Sequence, residues 1–433
     1  MQTGIDMRED LTKRYSSFFE SYRLARPVTF ARDVYLSGKL RELSSFVVWE
    51  LMHRLRLFSS KSYLDFTEDK PLPLEPEDSA EYSDLNDRVN QTFTKLGLQV
   101  KSCNENWKMV YLRPGGGMIG CRYPDDNELF ESNDQGAVNF IHSFHEPIKA
   151  IFVSSRQVIF VCVKGGVYRR LPNGSPFVRV MDFASPDSFF RHNNGITEMP
   201  DGTLVIGEYG NVWDHSGWKD LAYLYSSSDD GMNWKPSDFL IQQGTNKHVH
   251  VVKYISLLKK LFVADGDNYK RLWMADARDV ADWPDTKWIF ANRFHIQMGG
   301  YTSIVETDNR LFFGTDYQGG TNFIVESKNG ETFTKKVVPD PYRQSPIDNM
   351  VLRKAGGKTE IWANLPYCTA ASKCLLMVTK DGGQTWNRVI EYDRKHHIVW
   401  LISSSTEVSD SFYFSIENVA TKQRRVFKVG DNQ

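Results

Sequence analysis

The chain has 433 residues, with 53 Lys+Arg against 54 Asp+Glu, 41% hydrophobic and 25% charged residues, which is a globular composition with a formal net charge of -1. That balance argues against nucleic acid as a partner, because neutralising many phosphates needs a basic excess. Five cysteines, odd in number and with no CxxC pair, argue against a disulfide framework and a cysteine-based zinc site.

In chain order, residues 1–65 read as a helical N-terminal arm. The opening MQTGIDMREDLTKRY places charges where a signal peptide needs an apolar core, and no later stretch supplies a transmembrane segment. The cytoplasm is the default location, with export by a non-classical route as the other reading. Leu40, Leu43, Val47, Leu51, Leu55 and Phe58 recur at three- and four-residue spacing, predicting a helix from Ser37 to Lys61. Its polar face carries Lys39, Arg41, His53, Arg54 and Arg56. A basic amphipathic helix of this kind docks on its own main domain, on a partner or on an anionic membrane surface; packing of the apolar stripe on the main domain is the plainest expectation. Residues 66–90, rich in Pro and acid, read as a linker or a surface-hugging excursion.

From residue 91 to 433 the texture changes to short strands, with 13% aromatic residues and 30 Gly. An S-x-D-x-G-x-x-W element recurs as Ser227, Asp229, Gly231, Trp234 and, with Thr in the first place, as Thr379, Asp381, Gly383, Trp386. Decayed copies keep Ser132, Asp134, Gly136 and Phe140, then Gly174 and Phe177, then Gly330, Thr332 and Phe333 with Lys328 in the Asp place. With Trp283 as a further anchor the spacing is about fifty residues, the length of a four-stranded propeller blade. In such a turn the carboxylate closes onto backbone N–H groups, Gly supplies positive φ and the aromatic fills the space between blades.

Apolar runs that suit innermost strands begin near Met109, Ile148, Gly195, Val249, Tyr301, Met350 and Ile398. The expectation is therefore an all-β, seven-bladed β-propeller with an N-terminal helical arm, the segment around Leu96–Val100 supplying the last blade's fourth strand. Six blades is the runner-up, if residues 107–131 are an irregular lead-in. On these motifs the chain resembles, over roughly residues 100–430, the Asp-box (BNR-repeat) proteins of the sialidase-like propeller superfamily, which includes sialidases, other glycosidases, polysaccharide lyases and non-catalytic receptors.

Eight of the ten histidines fall just before or at the start of a proposed first strand: His142, His145, His192, His248, His250, His295, His396 and His397. Asp348 and Asn349 hold the same slot in the sixth unit. In a propeller these positions converge on one mouth of the central channel, and the ends of the second strands reach the same mouth. There lie Glu208 and Tyr209, Asp265 and Asp267, Asp316 and Tyr317. The boxes belong on the opposite face. His142 and His396 are expected outside the site.

The H-V-H pair at His248 and His250 places two imidazoles on one side of a strand. With His295 they would make a three-histidine metal set for one divalent ion such as Mn, Zn or Ca. The histidines could equally act metal-free as acid and base. The candidate catalytic residues are His192, His248, His250, His295, Tyr301 and Glu208. Arg191, Arg293, Tyr209, Asp267, Asp316 and Trp213 are candidate substrate contacts, Trp213 lying in the long loop Asn211–Asp220. This set resembles that of the propeller-fold polysaccharide lyases, including the oligogalacturonate and ulvan lyase types. The resemblance implies an enzyme that cleaves an acidic, uronate-containing oligo- or polysaccharide by lyase-type proton abstraction at channel histidines. One alternative is a sialidase-like glycoside hydrolase using paired carboxylates. The nearest string to the F-R-I-P motif of that class is Tyr168-Arg169-Arg170-Leu171-Pro172, similar only in its R-x-P ending, in a proposed third strand. The other is a non-catalytic propeller binding a glycan or protein.

Overall fold

The computed structural model describes residues 27–36, 40–76 and 82–430, apart from 114–115, 134–135, 215–216, 246, 266–270, 278–285, 292–299, 318 and 369–371. Seven blades form a ring, and the six-bladed alternative falls because residues 107–131 build a regular part of blade 1. The innermost strands are Trp107–Leu112, Ile148–Val153, Ile196–Glu198, Val249–Ile255, Tyr301–Glu306, Asn349–Ala355 and His397–Leu401. All seven lie at or within two residues of the positions expected from apolar patterning. Second strands are apolar on both faces because each blade packs between two neighbours: every residue of Ile159–Val163, Leu204–Gly207 and Leu311–Thr315 is buried.

The ring is latched twice. Gln99–Ser102 pairs antiparallel with Arg424–Gly430 as the outer strand of blade 7, within a few residues of the segment predicted to do so. Ser403–Ser405, from the same blade, pairs parallel with the innermost strand of blade 1. Together these pairings leave no open edge where the chain's two ends meet.

The recurring turn has the geometry its residues imply. Asp229 accepts hydrogen bonds from Ser227 Oγ (2.8 Å) and the N–H groups of Met232 (3.1 Å) and Asn233 (2.9 Å). The N–H of Asn233 leads the interactions that hold this carboxyl down at about 2. Asp381 is bound likewise by Thr379, Gln384 and Thr385. Gly231 has φ +78°, and a Cβ there would meet the Phe160 ring at 2.3 Å, so the turn admits no side chain. In blade 5 the role expected at Lys328 is taken by Asn329. Its Oδ1 accepts from the N–H groups of Glu331 (3.0 Å) and Thr332 (2.9 Å). The turn is one residue shorter there, and an amide oxygen accepts in the same geometry as a carboxylate.

Among the described residues three α-helices precede the ring: α1 (Pro27–Leu36), α2 (Leu40–Arg54) and α3 (Tyr82–Lys95). Within the described residues α2 is shorter than the predicted Ser37–Lys61, and it ends in a left-handed cap at Arg56, φ 53°. Leu57 N–H there bonds Met52 O (2.9 Å) and Arg56 N–H bonds His53 O (3.1 Å). The docking face also differs from expectation. Trp49 packs edge-on against Phe323 of blade 5 (5.1 Å), Glu50 is buried in an ion pair with Arg343, and His53 reaches Tyr63 (2.9 Å) and Asp340 (2.8 Å). Leu40, Val47, Leu51 and Leu55 of the predicted stripe stay exposed. A large indole and a buried ion pair fix the rotation of the helix, and a count of apolar positions does not weigh either.

The acidic segment then runs along the blade rims. Leu64 N–H bonds Val337 O, Thr67 N–H bonds Trp386 O, and Leu72–Pro73 pairs parallel with the outer strand of blade 6. Helix α3 closes this path by inserting Phe93 between Trp362 (5.6 Å) and Phe414 (5.4 Å), both stacked. Phe93→Ala should therefore cost about 3–5 kcal/mol of stability, as a fully buried aromatic does. Urea denaturation measures this, and an unchanged midpoint would show that α3 is no part of the folded core.

Candidate functional site

The channel is crossed midway by the turn Arg191-His192-Asn193-Asn194, which leads into the innermost strand of blade 3. Gly195 makes the turn this tight: its N–H bonds Arg191 O at 2.7 Å, and an added Cβ would lie 2.2 Å from Arg191 N. From this turn the side chains fan out to other blades. Arg191 reaches Thr302 O (3.2 Å) in blade 5 and Asp348 Oδ1 (3.1 Å) in blade 6. Asn194 bonds Thr302 O and Asn349 Oδ1, both at 3.4 Å, and its carbonyl accepts Val252 N–H of blade 4 (2.7 Å).

His192, expected among the catalytic histidines, goes the other way, toward blades 1 and 2. Its Nε2 lies 3.0 Å from Val110 O in blade 1, and its Nδ1 lies 3.1 Å from Ile151 O and 3.3 Å from Ile151 N in blade 2. Held neutral, the ring carries one proton, which it donates to one of these two carbonyls. Burial pulls this histidine down to about 4, against the opposing pull of the carbonyls of Val110 and Ile151. It borders a cavity of about 780 Å³ at the far end of the channel, lined also by Glu198, Lys253, Glu306, Lys354 and Glu407, on the side of the Asp229 and Asp381 turns.

At the near mouth the remaining residues assemble. The Arg191 guanidinium lies 5.6 Å from the Tyr209 ring centroid, and that ring lies over His248 at 4.0 Å. His248 Nδ1 is 2.7 Å from Gly210 O, so it carries the proton and donates. His248 Nε2 then accepts from His250 Nε2, 2.9 Å away, which leaves Nδ1 as the basic nitrogen of His250. Both rings are buried. Burial alone would lower the pKa of Arg191, but Asp348, Tyr209, Asp316 and Tyr367 more than reverse that. The site thus gathers groups from blades 3, 4, 5 and 6.

A backbone irregularity helps to aim these groups. In blades 1, 2, 4 and 5 the register shifts at the second residue of the innermost strand. In blades 4 and 5 the shifted residues are His250 and Thr302, so the bulge sits under the residues that reach the mouth. Tyr367, just past the second strand of blade 6, is equivalent to Tyr209 in blade 3, and that equivalence was the available signal for it. Arg394, 4.2 Å from the Tyr367 ring centroid, had no comparable sequence mark.

Several expected members are elsewhere. Glu208 is fully buried between blades 2 and 3, where Tyr225 Oη (2.7 Å) and Ala184 N–H (3.2 Å) donate to it and burial raises its pKa. Asp265 is buried inside blade 4 with Thr245, Arg271 and Trp273. Their strands end at the mouth, but each of these side chains turns into the sheet. Tyr301 is buried beside Phe313 (5.0 Å). His142, expected outside the site, lies on the outer strand of blade 1 against the rings of Phe144 and Phe177. Asp267, Arg293, His295 and the side chain of Trp213 lie outside the described residues.

For the expected metal, a tetrahedral ion bound at about 2.05 Å by both imidazoles would hold their nitrogens about 3.3 Å apart. His248 and His250 instead lie at hydrogen-bond separation. Among the described residues no three His, Cys, Asp or Glu side chains are grouped to hold a metal.

No family profile matches the chain, and no curated protein matches it in sequence. Solved structures do match in fold. Virginiamycin B lyase from Staphylococcus aureus is similar at TM-score 0.53 and 13% identity, over 77% of this chain and 99% of that one. A catalytically inactive form of that lyase with quinupristin gives 0.51 and 12%, over 77% and 99%. A structure of the mitotic checkpoint complex contains a chain similar at 0.50 and 12%, over 77% and 93%. These identities show a shared seven-bladed architecture, a fold used by a lyase and by a propeller of a protein assembly alike.

His192 supplies a test of the central turn. Its pKa is lowered on folding, so the stability it contributes is complete above its unfolded value near 6.5 and is lost as pH falls through about 4. The difference in melting temperature between wild type and His192→Gln should therefore shrink between pH 7 and pH 4. A constant difference would show that the imidazole is not held neutral.

Proposed function

We propose that the near mouth binds a carboxylate-bearing saccharide and cleaves it by β-elimination, with Arg191 facing the carboxylate and the His248–His250 pair taking the proton. The observation that carries this reading is the run Arg191, Tyr209, His248, His250: a half-buried cation, an aromatic ring and two coupled imidazoles in contact. In a uronate the proton on the carbon next to the carboxylate becomes acidic as the carboxylate charge is matched by a cation. The His248–His250 pair takes that proton, the C–H electron pair forms the C4–C5 double bond, and the glycosidic oxygen leaves C4. A tyrosine hydroxyl protonates the leaving oxygen, and Tyr209 and Tyr367 are the phenols beside the cation. The hydrogen bond between the rings lets the pair share the incoming charge.

Hydrolysis by paired carboxylates has less support, because Glu208 is turned into the blade interface and Asp348 is held by Arg191. Binding without catalysis would use the same cation and aromatic surfaces.

Polygalacturonate, glucuronan and alginate offered to the purified protein should yield an unsaturated product seen by ultraviolet absorbance. His250→Gln should lower that rate by about 100-fold or more, as loss of a general base does, while the melting temperature changes little. New reducing ends without ultraviolet absorbance would favour hydrolysis. Saturable binding with no product from any of the three would overturn the catalytic reading.

A further inference from the structure

Eight of the fourteen exposed large apolar side chains among the described residues lie on or just after α1 and α2. Six of them, Leu40, Val47, Val48, Leu51, Leu55 and Leu57, are on α2 or its cap, with Leu51 50% and Leu55 64% exposed. Leu40, Val47, Leu51 and Leu55 recur at helical spacing, so they form one outward stripe opposite the face that Trp49 and His53 dock on blade 5. The helix is therefore apolar on two sides, and the propeller covers only one of them. An uncovered stripe of this size on a folded protein marks an interaction surface.

The charges around the stripe choose its occupant. Arg32, Arg56 and Lys61 are exposed and have no acidic partner among the described residues. The described acids beside the helix are already engaged, Glu50 with Arg343 and Asp340 with His53 and Arg343. An apolar stripe with unmatched cations at its end suits an anionic lipid surface, where the leucines enter the acyl boundary and the cations meet the headgroups. A second copy of the chain would set these cations against each other. We propose that α2 is a membrane-surface anchor that lies in the plane of an anionic bilayer and carries the propeller by its blade 5 edge. No described helix is long and apolar enough to cross a membrane, and lying in the interface requires no crossing.

The test is co-sedimentation of the full chain with vesicles of phosphatidylcholine containing phosphatidylserine, alongside pure phosphatidylcholine. Partition to the anionic vesicles is expected to exceed that to the neutral ones and to fall as salt rises. Leu51→Glu with Leu55→Glu should weaken partition by about tenfold or more. Arg56→Gln with Lys61→Gln should cost roughly fivefold for each charge, on the anionic vesicles only. Both pairs are exposed, and an unchanged melting temperature would confirm that each variant folds. Absence of vesicle binding, or binding unchanged by the leucine pair, would overturn the proposal. Sedimentation velocity of the lipid-free protein covers the competing occupant: a dimer that the leucine pair dissociates, with no lipid binding, would assign the stripe to a second copy.

Discussion

The tight turn at residues 191–194 ties the ring together and makes the channel two separate spaces. A seven-bladed ring leaves a hole along its axis, and innermost strands line that hole with backbone and side-chain groups that need partners. Here one turn from blade 3 supplies them for five other blades: His192 for blades 1 and 2, the Asn194 carbonyl for blade 4, Arg191 and the Asn194 amide for blades 5 and 6. Such a cross-link is stiff because its groups are partly or fully buried and each bond is to a different blade. The near mouth adjoins it, since Arg191 lies 5.6 Å from the Tyr209 ring and that ring lies over His248 at 4.0 Å.

The same turn divides chemical roles between adjacent residues. Arg191 stays charged because carboxylate and phenol oxygens surround it, while His192, one position on, is kept neutral by burial against backbone carbonyls. Residue type alone assigns neither role. A histidine with both nitrogens bonded to backbone is a structural strut, and one whose partner is another imidazole is a proton carrier in waiting.

The ring was readable from sequence because its signals are local. Apolar runs of four to six residues mark the first strands, and Asp229 and Asp381 close turns within five residues of themselves. The convergence of His248, His250, Arg191 and Tyr209 was also readable, because propeller topology brings the starts of first strands and the ends of second strands to one mouth. What could not be read depends on neighbours distant in sequence. The direction of Glu208 is decided by Tyr225 and Ala184 across a blade interface, and that of His192 by Val110 and Ile151. The rotation of α2 is decided by Phe323 and Arg343, nearly 300 residues away. Asn329 shows the converse case, in which a geometric role survives a change of residue and of spacing that hides it from a motif.

Three imidazole rings carry the axial tie and the proposed chemistry, and nitrogen-15 NMR of histidine-labelled protein near neutral pH reads their protonation most directly. His192 should be neutral, and the hydrogen bonds of the pair place a proton on Nδ1 of His248 and on Nε2 of His250. An imidazolium at His192, or the reverse tautomers at His248 and His250, would contradict both the axial tie and the basic nitrogen on which the proposed chemistry depends.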